Sequence, residues 1–218
     1  MSLSHLQNIE LVVFDFDGTI ADTSEGILDS HKVALKSLGI EIPPNSVLKS
    51  FIGRNLLKVY TDVFNIDKHK AMNAVTVYRK RYADYGINKA ILYSGFSDTL
   101  RALKAKCFSI GLATLKLEKF AVHMLQMLKI YEYFDVVCGM NTGDQLSKAE
   151  LILRCVKYCG CSPKKTVMIG DSENDLDGAK EAGVNFIGVT YGFGFKSNTE
   201  YKFMTANNTK EILSILEG

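Results

Sequence analysis

Two carboxylates, Asp15 and Asp17, follow a short apolar run near the start of the chain. The run, residues 11–14, contains β-branched valines and has strand length, which predicts a fully buried strand. Gly18 follows the second acid, so the strand directs two carboxylates at a glycine turn. In open α/β sheets, ligands bind just beyond the carboxyl ends of the strands. The stretch from Phe14 to Thr19 therefore predicts a functional site in preference to a simple Asp-Gly turn.

Reactive side chains recur at three later places that end a predicted strand or open a predicted helix. Thr114 ends the second predicted core strand, and Lys148 opens a helix. Asp171 and Asp175 follow a strand over residues 166–169, in the pattern Gly-Asp-x-x-x-Asp. These side chains belong at the same edge of the sheet as the first two carboxylates, because the strands are expected to be parallel.

The stretch between the first strand and the later ones carries only helical patterns. A first helix opens at Ser24 or Glu25, another covers residues 56–64, and Asp67 caps a longer one. No strand signal occurs over about residues 20–88. We expect an inserted, all-helical cap over residues 20–91.

Strand and helix patterns alternate from about residue 92 onward. Ser97 is the expected N-cap of the first helix there, and a later helix is expected over residues 116–128. Repeated β-α units predict a parallel sheet with helices on both faces. The predicted fold class is α/β, with a Rossmann-like core formed by residues 1–19 and 92–218.

In chain order, Asp-x-Asp-Gly-Thr, Thr, Lys and Gly-Asp-x-x-x-Asp resemble the four motifs of the haloacid dehalogenase-like phosphatases. The resemblance covers nearly the whole chain, including the placement of the cap. It is closest in kind to the phosphoglycolate phosphatase-like and 5′-nucleotidase-like group. The resemblance implies that Asp15 attacks phosphorus, forming an aspartyl phosphate, and that Asp17 is the general acid and base.

A phosphate ester and an attacking carboxylate are both anions, which makes a cation necessary. Two unit charges about 4 Å apart repel by roughly 4 kcal/mol at an effective dielectric near 20. Oxygen-only ligands suit Mg²⁺, so we expect this cofactor. By resemblance, its ligands are Asp15, the Asp17 backbone carbonyl and Asp171, with Asp175 in an outer position or bound through water. Also by resemblance, the phosphoryl oxygens contact Lys148, the Thr114 hydroxyl and the Leu115 amide.

Several positions carry weaker signals. Gly53-Arg54 resembles the cap loop that closes over substrate in phosphoglycolate phosphatase-like members, although a surface arginine at a helix start is an alternative. Leu115 departs from the family, which usually has Ser or Asn there, so a side-chain contact to the phosphate or the substrate is expected to be lost. Lys116 matches a lysine common in relatives, with a solvated helix start as the alternative. The loop Tyr191-Gly192-Phe193-Gly194 resembles a loop of the same phosphatases.

The composition and net charge of the chain limit the classes of molecule that it is expected to bind. The 218 residues are 47% hydrophobic with a net charge of +2, so bulk electrostatics favours neither a nucleic acid polymer nor an anionic membrane. Residues 1–10 lack the pattern of a signal peptide, and no apolar run is long enough to cross a bilayer. We expect a cytoplasmic protein whose partner is a small phosphorylated metabolite.

The combined interpretation is a Mg²⁺-dependent phosphatase acting on phosphoglycolate, a nucleoside 5′-monophosphate or a similar phosphomonoester. The alternative is a sugar phosphomutase of the β-phosphoglucomutase type, which shares the core and the cap. In those mutases a cap histidine lies five residues beyond the Asp matching Asp22, and here that position is Ile27. A phospho-acceptor receiver domain is disfavoured, because receivers lack a cap and lack a second Asp two residues after the acceptor.

Overall fold

The computed structural model describes residue 6, residues 8–143 and residues 146–217. The chain divides into two compact units. One unit joins Met1–Ala21 to Leu92–Gly218, and the other is Asp22–Ile91. In the ranges just given, no helix is long and apolar enough to span a bilayer.

Eight strands are present among the described residues. They are β1 (Leu11–Phe14), β2 (Ala21–Asp22), β3 (Ile91–Leu92), β4 (Ser109–Leu117), β5 (Val136–Met140), β6 (Thr166–Gly170), β7 (Asn185–Val189) and β8 (Met204–Ala206). The two-residue strands β2 and β3 pair with each other, and the other six form one sheet in the order β5-β4-β1-β6-β7-β8. All neighbours in the six-stranded sheet are parallel. The predicted parallel α/β fold is therefore confirmed.

Helices connect the strands and fill the second unit. They are α1 (Ser24–Ser37), α2 (Asn45–Lys49), α3 (Leu56–Lys58), α4 (Lys68–Asp84), α5 (Phe96–Ala105), α6 (Glu118–Met127), α7 (Lys148–Tyr158), α8 (Glu173–Ala182) and α9 (Thr209–Glu217). A π-helical segment, Val59–Val63, continues α3, and short 3₁₀ segments cover Gly86–Lys89, Tyr131–Tyr133 and Pro163–Lys165.

Strand β1 lies in the middle of the sheet, and all four of its side chains are fully buried. Leu11 and Val13 pack in one apolar cluster with residues of α7 and α8. The Phe14 ring packs edge-on against Phe96 of α5, with ring centroids 5.3 Å apart. A continuous apolar strand is stable here because both of its faces are covered. The carboxyl end of β1 therefore opens between the ends of β4 and β6.

The helical unit is built on the packing of α1 against α4. His31 of α1 is fully buried among the rings of Phe51, Tyr60 and Tyr78. Its Nδ1 lies 3.1 Å from the Tyr60 hydroxyl. Burial lowers the pKa of His31 to about 4, because the charged imidazolium is poorly solvated there. His31 is thus a neutral core residue of this unit.

Three local predictions differ from the structure. Helix α5 begins at Phe96 after Gly95, whose φ is 78°, so Ser97 is not its N-cap. A strand occupies Ala21–Asp22, within the stretch predicted to have none. The helix predicted over residues 56–64 is a three-residue α-helix followed by a π-helical segment.

The boundary after β4 is also wrong in the sequence prediction, and this error matters for the site. Strand β4 continues to Leu117, which pairs with Met140 of β5. Helix α6 therefore begins at Glu118, and Lys116 belongs to the strand. Pairing with a distant strand decides this boundary, so the local pattern did not reveal it.

Candidate active site

The carboxylate of Asp15 lies at the carboxyl end of β1 and is buried. The Asp15 amide donates to the Ile169 carbonyl of β6 at 2.9 Å, so its backbone is fixed by the neighbouring strand. Lys148 Nζ donates to Asp15 Oδ1 at 2.7 Å. Lys148 occupies the first position of α7, whose start is fixed by a capping box between Ser147 and Glu150. A buried ion pair thus joins β1 to the beginning of α7.

The Lys148 ammonium also contacts a second acid. Its Nζ lies 2.8 Å from Asp175 Oδ1 and donates to the Ala113 carbonyl at 3.1 Å. The other Asp175 oxygen accepts from the amide and hydroxyl of Ser172, at 3.1 and 2.6 Å, in a capping box at the start of α8. Burial opposes the charged form of Lys148, but Asp15 and Asp175 outweigh it and raise its pKa. Lys148 is therefore held as a cation between two carboxylates.

Asp171, after β6, is held by the loop that follows β7. The amides of Phe193 and Gly194 donate to its Oδ2 at 2.6 and 3.3 Å. A Cβ on Gly194 would collide with the Asp171 carbonyl oxygen, and one on Gly192 would collide with the Gly18 carbonyl oxygen. The loop can approach this closely because both positions lack a side chain. The Tyr-Gly-Phe-Gly loop thus fixes the orientation of the Asp171 carboxylate.

The turn after Asp17 is equally constrained. Gly18 has a φ of 81°, a conformation that L side chains rarely adopt. A Cβ there would also overlap the Asp171 carboxylate and the Phe193 ring. The glycine of the Asp-x-Asp-Gly-Thr motif is therefore required for both the backbone conformation and the space it leaves.

Three buried acids form a group with the geometry of a metal site. One carboxylate oxygen each of Asp15, Asp171 and Asp175 lies within 4.8 Å of the other two. Burial raises the pKa of Asp15 to about 7; Lys148 opposes this effect, and Asp175 and Asp17 add to it. Burial and the Asp175 charge likewise raise the pKa of Asp171 well above its usual range. The single positive charge of Lys148 does not fully offset the repulsion among these three carboxylates. A bound cation would therefore stabilise their ionised forms.

Asp17 pairs with a different lysine. Lys116 Nζ lies 3.0 Å from Asp17 Oδ1, and the two side chains are 6% and 8% exposed. This contact excludes the solvated helix start considered for Lys116 from the sequence. The pairing joins the end of β4 to the turn that follows β1.

Thr114 and Leu115 are consecutive residues near the end of β4. Thr114 is buried, and its Oγ1 accepts from the Lys116 amide at 3.3 Å. The Leu115 side chain packs against the apolar cluster that includes α7 and α8. Leu115, which stands where the family usually has Ser or Asn, is thus partly buried against the core.

Gly53 and Arg54 lie in the helical unit, after α2. Arg54 is exposed, and Gly53 has a φ of 76° at the turn between α2 and α3. The sheet-containing unit holds Asp15, Asp17, Asp171, Asp175, Lys148 and Thr114. Gly53 and Arg54 belong to the other unit, and their role in substrate binding stays a prediction.

Sequence reasoning underestimated two features of the site. Lys116 was matched to a lysine common in relatives with a solvated helix start as the alternative, and its burial was missed because the predicted strand ended at Thr114, whereas β4 continues to Leu117. The Tyr191–Gly194 stretch was noted only for its resemblance to a family loop, and its contact with Asp171 was not predicted. The two glycines two residues apart, which allow a close approach of the backbone, are the sequence feature that could have indicated it. Neither pattern alone shows which carboxylate it contacts.

Comparisons with known proteins agree with this geometry. The profile of the family described as haloacid dehalogenase-like hydrolase matches residues 12–189. A 5′-nucleotidase of Pseudomonas aeruginosa is 35% identical over 184 residues, which cover 84% of this chain and 83% of the relative. A phosphoglycolate phosphatase of Aquifex aeolicus is 28% identical over 212 residues, covering 96% and 98%. The crystal structure of a predicted phosphatase from Clostridium acetobutylicum matches with a TM-score of 0.89 at 31% identity, covering 96% and 99%.

The chain belongs to the haloacid dehalogenase-like hydrolases, because the family profile spans most of its length. The relatives named above are phosphatases, and the predicted membership of the haloacid dehalogenase-like phosphatases is confirmed. The chain is therefore an enzyme of this family.

Proposed function

We propose that the chain is a Mg²⁺-dependent phosphatase that hydrolyses a small phosphomonoester through an aspartyl phosphate on Asp15. One observation carries the proposal. The buried Asp15 carboxylate is held by Lys148 at 2.7 Å, and its oxygen forms a group with oxygens of Asp171 and Asp175. This arrangement supports Asp15 as the nucleophile, Lys148 as its neighbouring cation and the three acids as the metal-binding group.

The reaction is proposed to proceed in two displacements. In the first, Asp15 attacks phosphorus, the bond from phosphorus to the leaving oxygen breaks, and Asp17 donates a proton to that oxygen. In the second, Asp17 accepts a proton from water as the water oxygen attacks phosphorus. The aspartyl phosphate bond breaks, which releases inorganic phosphate and restores the Asp15 carboxylate.

Lys148 and residues at the end of β4 are the proposed binding groups for the phosphoryl group. The Lys148 ammonium already contacts Asp15, so it can neutralise charge on both the nucleophile and the phosphoryl oxygens. The Thr114 hydroxyl and the Leu115 amide are the proposed hydrogen-bond donors to those oxygens. Catalysis then depends mainly on positioning and on charge compensation.

The donor set fits Mg²⁺. Fully ionised, the paired side chains of the site carry four negative charges, on Asp15, Asp17, Asp171 and Asp175, and two positive charges, on Lys116 and Lys148. A divalent cation would balance that difference, and carboxylate and carbonyl oxygens are the ligands it prefers. The proposed ligands are Asp15, Asp171 and the Asp17 carbonyl, with Asp175 binding directly or through water. When bound, Mg²⁺ supplies charge neutralisation to the phosphoryl group.

The proposed substrate class is a small phosphomonoester such as phosphoglycolate or a nucleoside 5′-monophosphate. The support is the naming of the relatives as a 5′-nucleotidase and phosphoglycolate phosphatases. The helical unit is the proposed cap, and the turn holding Gly53 and Arg54 is the proposed substrate-contacting part of it. The proposed location of the protein is the cytoplasm.

The test is a screen for released phosphate with Mg²⁺ and a panel of phosphomonoesters. The panel contains phosphoglycolate, nucleoside 5′-monophosphates, sugar phosphates and p-nitrophenyl phosphate. Asp15→Asn should release no phosphate, and Asp177→Asn is the matched control, because that side chain is 71% exposed on α8. Phosphate release by Asp15→Asn at the wild-type rate would refute the proposal.

The same screen separates a phosphatase from a phosphomutase. The protein is incubated with β-glucose 1-phosphate and a trace of the 1,6-bisphosphate, and glucose 6-phosphate and free phosphate are followed together. We expect free phosphate as the main product. Glucose 6-phosphate forming much faster than free phosphate would overturn the phosphatase assignment.

A further inference from the structure

We infer that Lys116 is a positioning residue that holds the Asp17 carboxylate for proton transfer to the leaving group. The inference rests on the proposed function and adds a residue to it. It starts from the local structure of β4. Ala113 pairs with Cys138, and Leu117 pairs with Met140, so the three residues 114–116 oppose the single residue 139.

Such a bulge redirects side chains at the end of a strand and is frequent beside active sites. Here it lies at the carboxyl end of β4, where Thr114 and Lys116 belong to the extra length. The Lys116 amide donates to Thr114 Oγ1 at 3.3 Å, which ties the two residues of the bulge together. The bulge therefore fixes the backbone from which the Lys116 side chain extends.

The Lys116 side chain is withdrawn from water and directed at one acid. Its Nζ lies 3.0 Å from Asp17 Oδ1, with 6% of the lysine side chain and 8% of the aspartate side chain exposed. The ammonium also lies 5.8 Å from the centroid of the Phe16 ring. A lysine on an ordinary surface would keep its ammonium in water. Its burial against Asp17 indicates a specific pairing.

The site thus uses its two lysines for different acids. Lys148 contacts Asp15 and Asp175, and Lys116 contacts Asp17. In the first displacement, the proton moves from the Asp17 carboxyl group to the departing oxygen, and Asp17 becomes negatively charged. The Lys116 ammonium stabilises that charge and holds one carboxylate oxygen, which sets the direction of the other. A general acid must be held within hydrogen-bond reach of the atom it protonates.

The distinguishing measurement is the dependence of rate on the leaving group. Phenyl phosphate and p-nitrophenyl phosphate have similar shapes, but phenoxide is the more basic leaving group and depends more on protonation. The constant kcat/KM reports the displacement in which that group departs. For Lys116→Met we expect kcat/KM to fall about 100-fold with phenyl phosphate, in the range of general-acid effects, and less than about 10-fold with p-nitrophenyl phosphate.

Two further variants complete the design. Lys116→Arg keeps the cation and should recover most of the activity toward phenyl phosphate. Lys119→Met, the same change at an exposed position of α6, should leave both rates unchanged. Thermal melts check that each variant is folded. If Lys116→Met does not fold, the comparison is made between Lys116→Gln and Lys116→Arg.

Equal losses with both substrates, or no loss, would overturn the role assigned to Lys116 while leaving the proposed function intact. Failure of the proposed function has a different result: the wild-type protein would show no Asp15-dependent hydrolysis of either aryl phosphate. In that case the inference about Lys116 fails with it.

Discussion

Replacement of Asp15 by asparagine should make the metal-free protein more stable while it abolishes turnover. Burial, with the nearby carboxylates, raises the pKa of Asp15 from 3.8 to about 7 in the folded protein. Between these pH values the folded chain binds more protons at this group than the unfolded chain. Stability contributed by this group therefore falls as pH rises through that interval. Asparagine has nearly the same shape, carries no charge and still offers an oxygen to Lys148.

The magnitude follows from the width of that interval. The difference between 3.8 and about 7 is about 3 pH units. Each unit corresponds to about 1.4 kcal/mol, so Asp15→Asn should gain up to about 4 kcal/mol above pH 7 and almost nothing near pH 4. A gain of that size is a large part of the stability of an ordinary domain. It should raise Tm by roughly 10 °C for a chain of this length.

The assay is urea and thermal unfolding in EDTA at several pH values from about 4.5 to 8. Asp177→Asn is the control, because it makes the same change at a carboxylate that is 71% exposed. Added Mg²⁺ should narrow the difference between wild type and Asp15→Asn, since asparagine is a weaker ligand. An Asp15→Asn protein no more stable than wild type at pH 8 in EDTA would refute the electrostatic reasoning.

Three other predictions concern the metal, the loop and the helical unit. EDTA should abolish phosphate release, and Mg²⁺ should restore it. Ca²⁺ should restore it poorly, because Ca²⁺ takes more ligands at longer distances. Full activity after exhaustive chelation would contradict the metal assignment. Gly194→Ala should weaken Mg²⁺ activation by about 10-fold or more, because the new Cβ would collide with the Asp171 carbonyl oxygen and displace the loop that orients the Asp171 carboxylate. An unchanged Mg²⁺ titration would contradict this. Burial lowers the pKa of His31 to about 4 from 6.5, so the unfolded chain binds more protons between these values, and stability should fall by up to about 3 kcal/mol as pH drops through them. Unfolding curves of His31→Gln should show a shallower pH dependence, and an identical slope would exclude His31 as the cause.

Much of the fold follows from patterns within short stretches. The apolar run of β1 and the two acids after it are adjacent in the sequence. A continuous apolar run of strand length is by itself enough to predict a strand whose two faces are both buried. The start of α4 is marked by Asp67, whose side chain accepts from the Lys70 amide at 3.0 Å. The end of α8 is marked by Gly183, which has a φ of 69°. Caps and glycine termini are local interactions, so the sequence shows them directly.

The end of β4 illustrates what a local pattern misses. Residues 116–128 carry helical spacing, and yet the strand continues to Leu117. Pairing of Leu117 with Met140 stabilises the extended backbone there, and that pairing depends on a strand that comes later in the chain. Local propensity was overridden by a hydrogen-bonded neighbour. The N-cap predicted at Ser97 is wrong for a different, local reason: Gly95, in the left-handed conformation, occupies the N-cap position, and α5 already begins at Phe96.

The sequence by itself determined which residue types are available for chemistry and the order in which they occur. Only the tertiary structure decided how they pair. Lys148 contacts both Asp15 and Asp175, and Lys116 contacts Asp17. The physical reason is that ion-pair energies depend on distance and burial, and both are set by the strand order and by the bulge in β4. The sequence alone does not show whether a lysine is exposed or paired in a buried site, because the position of its strand in the sheet decides that.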